Sequence, residues 1–352
     1  MRYTMHHMTL ILFIIALLLT RPVGAVYDPL RVPNNTHGIH VADPNDIPKV
    51  KELVNSSGGS WGYVTLVIPE NQRNPDIWQP IFTKMKRDRL IPIVRLATRV
   101  EGSAWIKPSL TDANVWASFL NALPWPTKNR YVVIFNEPNH AKEWGGQISP
   151  NEYADTLVAF SRALKEKSTD FFILPAGLDA SAPNGKETMD EELFLRWMLA
   201  RQPNLAEAID GWTSHSYPNP GFSGSPYASG RGTIRTFEWE LRLLGDLGFE
   251  KNLPVFITET GWSHSRLTPD EVSEYLSIAS QTVWNQPQIA AVTPFLFNYQ
   301  DSLFSMFSWL RLITREPYSF YRSYQQIAKA KGEPLTYPTE EYLALIAQQL
   351  TL

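Results

Sequence analysis

The chain has no cysteine in its 352 residues. That excludes disulfides, thiolate metal sites and a cysteine-borne lipid anchor, so stability must come from a packed core. It also lacks an excess of positive charge: the formal net charge is −3 and the pI near 6.2. Without a basic field to hold a phosphate backbone, nucleic acid is not an expected partner. No Gly-rich fingerprint follows the first candidate strand, since "HGIHVADPND" (37–46) offers no cradle for a pyrophosphate, which counts against an open doubly wound sheet. The histidines His40, His140 and His215 are scattered, with no His-x-x-x-His or comparable cluster. They read as polar lining of a pocket, and neither a metal nor a cofactor is expected. No Ser/Gly linker, charge block or short repeat marks a second module.

The apolar run from Met8 to Leu19 is shorter than the ~20 residues a membrane span requires. Arg2 precedes it, and Val23 and Ala25 stand at the −3 and −1 positions of a cleavage site. Residues 1–25 therefore read as a secretory signal peptide, which makes the protein secreted or extracytoplasmic and free of the membrane after cleavage. An uncleaved signal anchor is the alternative. The sequons at Asn34 and Asn55 read as ordinary polar turns.

What is present is a chain 43% hydrophobic and 19% charged, enough to bury a sizeable core. From residue 36 onward short apolar segments alternate with longer amphipathic ones. Strands are expected at 37–42, 62–68, 90–97, 131–137, 171–177, 211–217, 254–260 and 291–299, each followed by a helical stretch. Ser149, Thr111 and Thr268 stand as candidate N-caps. Near-continuous apolar strands alternating with helices imply an α/β, single-domain (β/α)8 TIM barrel, here over residues 26–352, with a short extension from about 333 packed outside.

In such a barrel the functional groups stand where the strands finish. Strand one ends near His40 and Asp43, strand three at Arg95 and Arg99, and strand four at Asn136 and Glu137. Strand six ends at His215 and Tyr217, strand seven at Glu259 and Trp262, and strand eight at Asn298 and Gln300. Two carboxylic acids facing each other across a cleft are what glycoside hydrolysis needs, and Glu137 and Glu259 fit. About 5–5.5 Å between them implies a covalent intermediate and retention; about 6.5–9.5 Å leaves room for water and implies inversion.

With "FNEPN" (135–139) closing strand four and "VFITETGW" (255–262) closing strand seven, the sequence resembles clan A of the glycoside hydrolases, retaining barrel enzymes with an Asn-Glu pair on strand four. Families 39 and 5 are the nearest comparisons. The resemblance implies Glu137 as acid/base, Glu259 as nucleophile, Asn136 as partner of the sugar 2-hydroxyl, and Tyr217 in "SHSYP" as a donor to the nucleophile, with His215 beside it. It implies a hydrolase of β-linked poly- or oligosaccharides, which the signal peptide would export; a carbohydrate-binding barrel without turnover is the competing class. Many clan members carry an Arg at the end of strand two and a Trp at the end of strand eight. This chain has neither there, and Arg95 and Trp309 are the candidate replacements.

Trp144 and Trp262, in loops after the catalytic strands, are expected to be sugar platforms, while Trp116, Trp197 and Trp239 lie in helices and read as core. Asn298 and His40 are expected to line the substrate pocket. The Gly, Ser and Pro-rich loop 218–232 reads either as a cover for the cleft or as a disordered insertion.

Overall fold

The structure, a computed structural model, describes residues 26–338. The expectations for 1–25 and for most of the C-terminal extension lie outside the described residues. Eight parallel strands form the barrel: β1 (Gly38–Val41), β2 (Gly62–Pro69), β3 (Leu90–Ala97), β4 (Arg130–Ile134), β5 (Phe171–Pro175), β6 (Trp212–His215), β7 (Val255–Glu259) and β8 (Ile289–Val292). Eight helices alternate with them: α1 (Ile47–Val54), α2 (Pro75–Asp88), α3 (Asp112–Asn121), α4 (Pro150–Lys167), α5 (Glu191–Arg201), α6 (Thr236–Asp246), α7 (Pro269–Thr282) and α8 (Ser319–Gln326). Among the described residues two further short strands, Val100–Glu101 and Ala104–Trp105, pair antiparallel with each other as a separate ribbon after β3.

Strands β1 to β5 hydrogen-bond in chain order, as do β6 to β8. The ring closes between β8 and β1 through a parallel bridge from His37 to Val292. Between β5 and β6, Asp210 does the joining. Its backbone N–H donates to the Ile173 carbonyl and its carboxylate accepts from the Ile173 N–H, each at 2.8 Å. Every barrel strand is buried over nearly its whole length because helices cover the outside and side chains fill the inside.

The interior is graded from bottom to top. At the N-terminal end Tyr63, Tyr131, Phe172 and Phe256 fill the barrel, with ring centroids 5.0 to 6.4 Å apart. Above them lie aliphatic groups such as Ile93, Val133 and Leu174, and a threonine pair, Thr65 and Thr293, whose hydroxyls are 2.8 Å apart. Alternation along β3 makes the order plain: Ile91, Ile93 and then Arg95 point inward. The charged layer is reached only at the C-terminal rim.

Of the expected N-caps, Thr268 builds a full capping box with Glu271 on α7, whereas Thr111 and Ser149 make no side-chain cap bond. Trp116 is buried as expected, but Trp197 is 50% exposed on α5. Both sequon amides are tied into the fold: Asn34 Nδ2 donates to the Ala290 carbonyl, and Asn55 Nδ2 to the carbonyls of Asp88 and Arg89. Tyr337, at the start of the extension, packs under the barrel with its hydroxyl donating to Asp170. No described helix is long and apolar enough to cross a membrane.

Candidate active site

Strand β4 ends in a backbone turn that sets the site. Along a regular strand, only one of two neighbours faces the barrel axis. Phe135 and Glu137 instead adopt left-handed φ values of 68° and 31°, so Asn136 and Glu137 both reach the cavity. Such conformations cost about 1–3 kcal/mol each and persist only where the surroundings fix them. Here the Glu137 N–H donates to the Gly177 carbonyl beyond β5, and the Glu137 carbonyl accepts from the His140 N–H.

Glu259 at the end of β7 faces Glu137 across a cavity of about 350 Å3. Arg95 Nη1 donates to Glu259 Oε1 at 2.9 Å and also to the Asn136 amide oxygen. The Tyr217 hydroxyl donates to Glu259 Oε2 at 3.1 Å. His215 Nδ1 lies 2.8 Å from Glu137 Oε1 and 3.9 Å from Glu259 Oε2. Oxygens of the two carboxylates lie within 4.8 Å of each other and of that nitrogen. Burial by itself would raise the Glu259 carboxyl, but the His215 and Arg95 charges and the Tyr217 hydroxyl hold it below the ordinary range. Burial by itself would lower His215, yet the Glu259 and Glu137 carboxylates raise it. Burial beside Glu259 keeps the Tyr217 phenol protonated and hence a donor.

The trio Glu137, His215 and Glu259 is also the group, among the described residues, whose atoms are near enough to ligate an ion. Both Glu259 oxygens already accept from protein donors, and the Arg95 guanidinium opposes a second cation. The donor set is built for hydrogen bonding.

Other expected site residues divide. His40 is buried beneath the site, its ring tilted against Phe295 at 5.0 Å and burial lowering it to about 3, so it supports the floor without lining the cavity. Trp144 is buried against Phe135 and Tyr153. Trp262 packs on Tyr275 and Trp284 and donates its Nε1–H to the Gly224 carbonyl, while Trp309 packs on Phe320 and Tyr324. These three tryptophans therefore brace the loops from behind and offer no face to a sugar. Asn298 donates to Asp46 in a separate depression at the rim.

The aromatic wall is made of phenylalanines that sequence reasoning missed. Phe222 and Phe307 lie 5.0 Å apart by centroid and flank Tyr217, and Phe295 packs on Phe304 at 5.5 Å. Phe222 comes from loop 218–232, which thus contributes to the wall. Opposite stand Trp105, Glu143 and a His140–Asp179 pair at 2.9 Å. Glu143 Oε2 accepts from the Asn136 amide at 3.4 Å, and burial with the nearby Glu137 charge raises its carboxyl. His140 lines the cavity as expected, and Glu143, which the sequence reading missed, stands three residues after it in the same loop.

An eight-stranded barrel with paired carboxylates at its C-terminal mouth has the architecture of the clan A glycoside hydrolases, and comparison with solved structures shows the same fold. Over 87% of this chain it matches a family 39 glycoside hydrolase from Bacteroides cellulosilyticus at 17% identity and TM-score 0.59; the match spans 65% of that protein's length. A monomeric β-xylosidase from Caulobacter crescentus matches 87% of this chain at 12% identity and TM-score 0.57, with 69% of its own length covered. An endo-β-1,3-glucanase of family 128 from Sorangium cellulosum matches 84% at 16% identity and TM-score 0.51, with 96% of its length covered. No family model matches the sequence, and no curated protein does.

Proposed function

We propose that the protein is an exported retaining glycoside hydrolase that cleaves β-glycosidic bonds of a poly- or oligosaccharide by double displacement. The observation that carries this is the close approach of the two carboxylates: one oxygen of Glu137 and one of Glu259 lie within 4.8 Å of each other, which supports the short separation of retention over the wider one that admits a water between them. The folds it shares belong to proteins named for xylosidase and glucanase action, which supports a β-linked glycan as substrate class.

In the first step a Glu259 oxygen bonds to the anomeric carbon as the bond to the leaving oxygen breaks, and Glu137 gives that oxygen its proton. His215, charged to higher pH than a free imidazole, keeps a proton at hand beside Glu137. Forming the ester removes the Glu259 charge. Glu137 then takes a proton from water, whose oxygen bonds to the anomeric carbon and expels Glu259. Arg95 and Tyr217 keep the nucleophile ionised before attack and steady it as a leaving group. The Asn136 amide, held only at 3.4 Å by Glu143, is available to the sugar 2-hydroxyl.

The test is hydrolysis of a panel of aryl β-glycosides and soluble β-glucans by the purified protein and by Glu137→Gln and Glu259→Gln. Wild type should turn over at least one substrate with retained configuration, and each variant should lose about 10²–10⁴-fold or more. Normal turnover by either variant, or an inverted product, would refute the assignment.

A further inference from the structure

The cavity that holds the two carboxylates has two unlike sides. From β3, β4, β5 and their connections come Arg95, Asn136, Glu137, His140, Glu143 and Asp179, all able to meet hydroxyl groups. From the connections after β6 and β8 come Phe222, Phe295, Phe304 and Phe307. Phe222, Phe295 and Phe304 are only half-buried, so part of their surface stays open where they line the cavity.

The phenylalanine side suits a sugar poorly. A pyranose stacks on the flat face of one ring, and each hydroxyl around its rim needs a partner once it leaves water. Here neighbouring rings stand edge to face, at 77° for Phe222 and Phe307, 89° for Phe295 and Phe304, and 75° for Phe295 and Phe307. Phenyl groups supply neither donor nor acceptor. The polar atoms beside them are engaged elsewhere: the Tyr217 hydroxyl donates to Glu259, and Asn219 Nδ2 donates to Ser181 Oγ at 2.8 Å.

Nor does Phe222 stand there at no cost. Its φ of 58° lies in the left-handed region, where a bulky side chain is rare and persists only if its surroundings fix it. The Ser263 N–H, which donates to the Phe222 carbonyl at 2.9 Å, helps to do so. Backbone strain thus falls on the residue that brings a phenyl ring to the cavity.

We infer that the substrate is a glycoconjugate, a β-linked sugar that carries a hydrocarbon group, with the hydrocarbon seated on Phe222, Phe295 and Phe304 and the sugar hydroxyls turned to the polar side. This rests on the catalytic reading for the sugar's place between Glu137 and Glu259. Lipid chains and phenolic rings share the required chemistry.

The experiment measures, by calorimetry on Glu259→Gln, the affinity of the methyl, n-octyl and 2-naphthyl β-glycosides of glucose, xylose and cellobiose, with the octyl compounds kept below micelle-forming concentrations. Full burial is worth about four-fold per methylene. On half-open rings about two-fold is expected, so octyl should bind about 100-fold tighter than methyl on at least one sugar. A gain confined to the octyl or to the naphthyl compound identifies a lipid or a phenolic source. Phe222→Ser and Phe304→Ser should each cut the gain at least about five-fold, while Phe304→Leu, which keeps the wall apolar, should retain most of it. Melting curves check that the variants fold, and the series in Glu259→Gln decides by itself if one does not. A gain under about ten-fold in both series, no binding by any compound, or a gain that survives in both serine variants overturns the inference. Failure of the wild-type protein to hydrolyse any β-glycoside, with the affinity gain intact, would instead refute the catalytic reading.

Discussion

Gly177, just beyond β5, is the glycine at which an added methyl group meets a neighbour at the shortest distance. A Cβ built there lies 2.2 Å from His215 Cδ2 and 2.5 Å from Nε2, against an ordinary contact of 3.4–4 Å. His215 must retreat by about 1 Å to relieve this overpacking. His215 is 3% exposed and its Nδ1 contact with Glu137 is 2.8 Å, so a retreat of about that size away from Gly177 stretches or breaks that hydrogen bond. Overpacking and loss of a charge-assisted bond together predict about 2–4 kcal/mol of destabilisation for Gly177→Ala. Backbone preference acts the other way. Gly177 is not in the left-handed region, so Ala should by itself be favoured by about 0.4–1 kcal/mol. A double-mutant cycle with His215→Ala, read by urea unfolding, separates the two. Gly177→Ala should be harmful in wild type, with kcat/KM falling at least about 10²-fold, and neutral or stabilising once the imidazole is gone. Equal cost in both backgrounds would show that the methyl group meets something other than His215, and the account of how the imidazole is held would fail.

Arg95→Met removes one of the charges that lower the Glu259 carboxyl. Activity in wild type should persist as pH falls below the ordinary glutamate value of 4.5, and in Arg95→Met the acid limb of the kcat–pH profile should move upward. An unmoved limb would mean that Arg95 does not set the ionisation. On the outer side of β6, Glu191 and Glu240 are both fully buried, and burial raises both, Glu240 to about 7. The folded protein then binds more protons than the unfolded chain between 4.5 and about 7, so this contribution to stability is complete below 4.5 and lost as pH rises through about 7. Urea unfolding should show that decline, and Glu240→Gln should flatten it; an identical decline in the variant would refute the assignment. Phe304→Ala opens the aromatic wall without touching a carboxylate. It should raise KM about ten-fold with kcat nearly unchanged, whereas an equal fall in kcat would place the ring at the reacting sugar.

The barrel was legible because each strand is an apolar run bounded by turn residues, so seven of the eight strands and all eight helices fall where the periodicity put them. The last strand was the exception. "AVTPFLFNY" reads as one run, but only Ile289–Val292 pairs, and the residues beyond it fold back over the mouth, carrying Phe295 into the cavity. The polar groups at the strand ends were readable for the same reason as the strands, since β-sheet alternation fixes where Arg95 and Glu259 point. Loop aromatics follow no such rule. Trp144, Trp262 and Trp309 and the phenylalanines Phe222, Phe304 and Phe307 all stand in connections, and only tertiary packing decides which rings turn inward. Nor does composition reveal that two neighbours, Asn136 and Glu137, share one face, because that depends on φ at Phe135.

The four aromatic rings that stopper the barrel floor also decide traffic. With Tyr63, Tyr131, Phe172 and Phe256 wedged together there, nothing admitted at the top can leave below. In the proposed reaction, substrate and product would share one doorway. A product held there would compete with the next substrate, so release through that doorway would bear on the rate as well as bond cleavage.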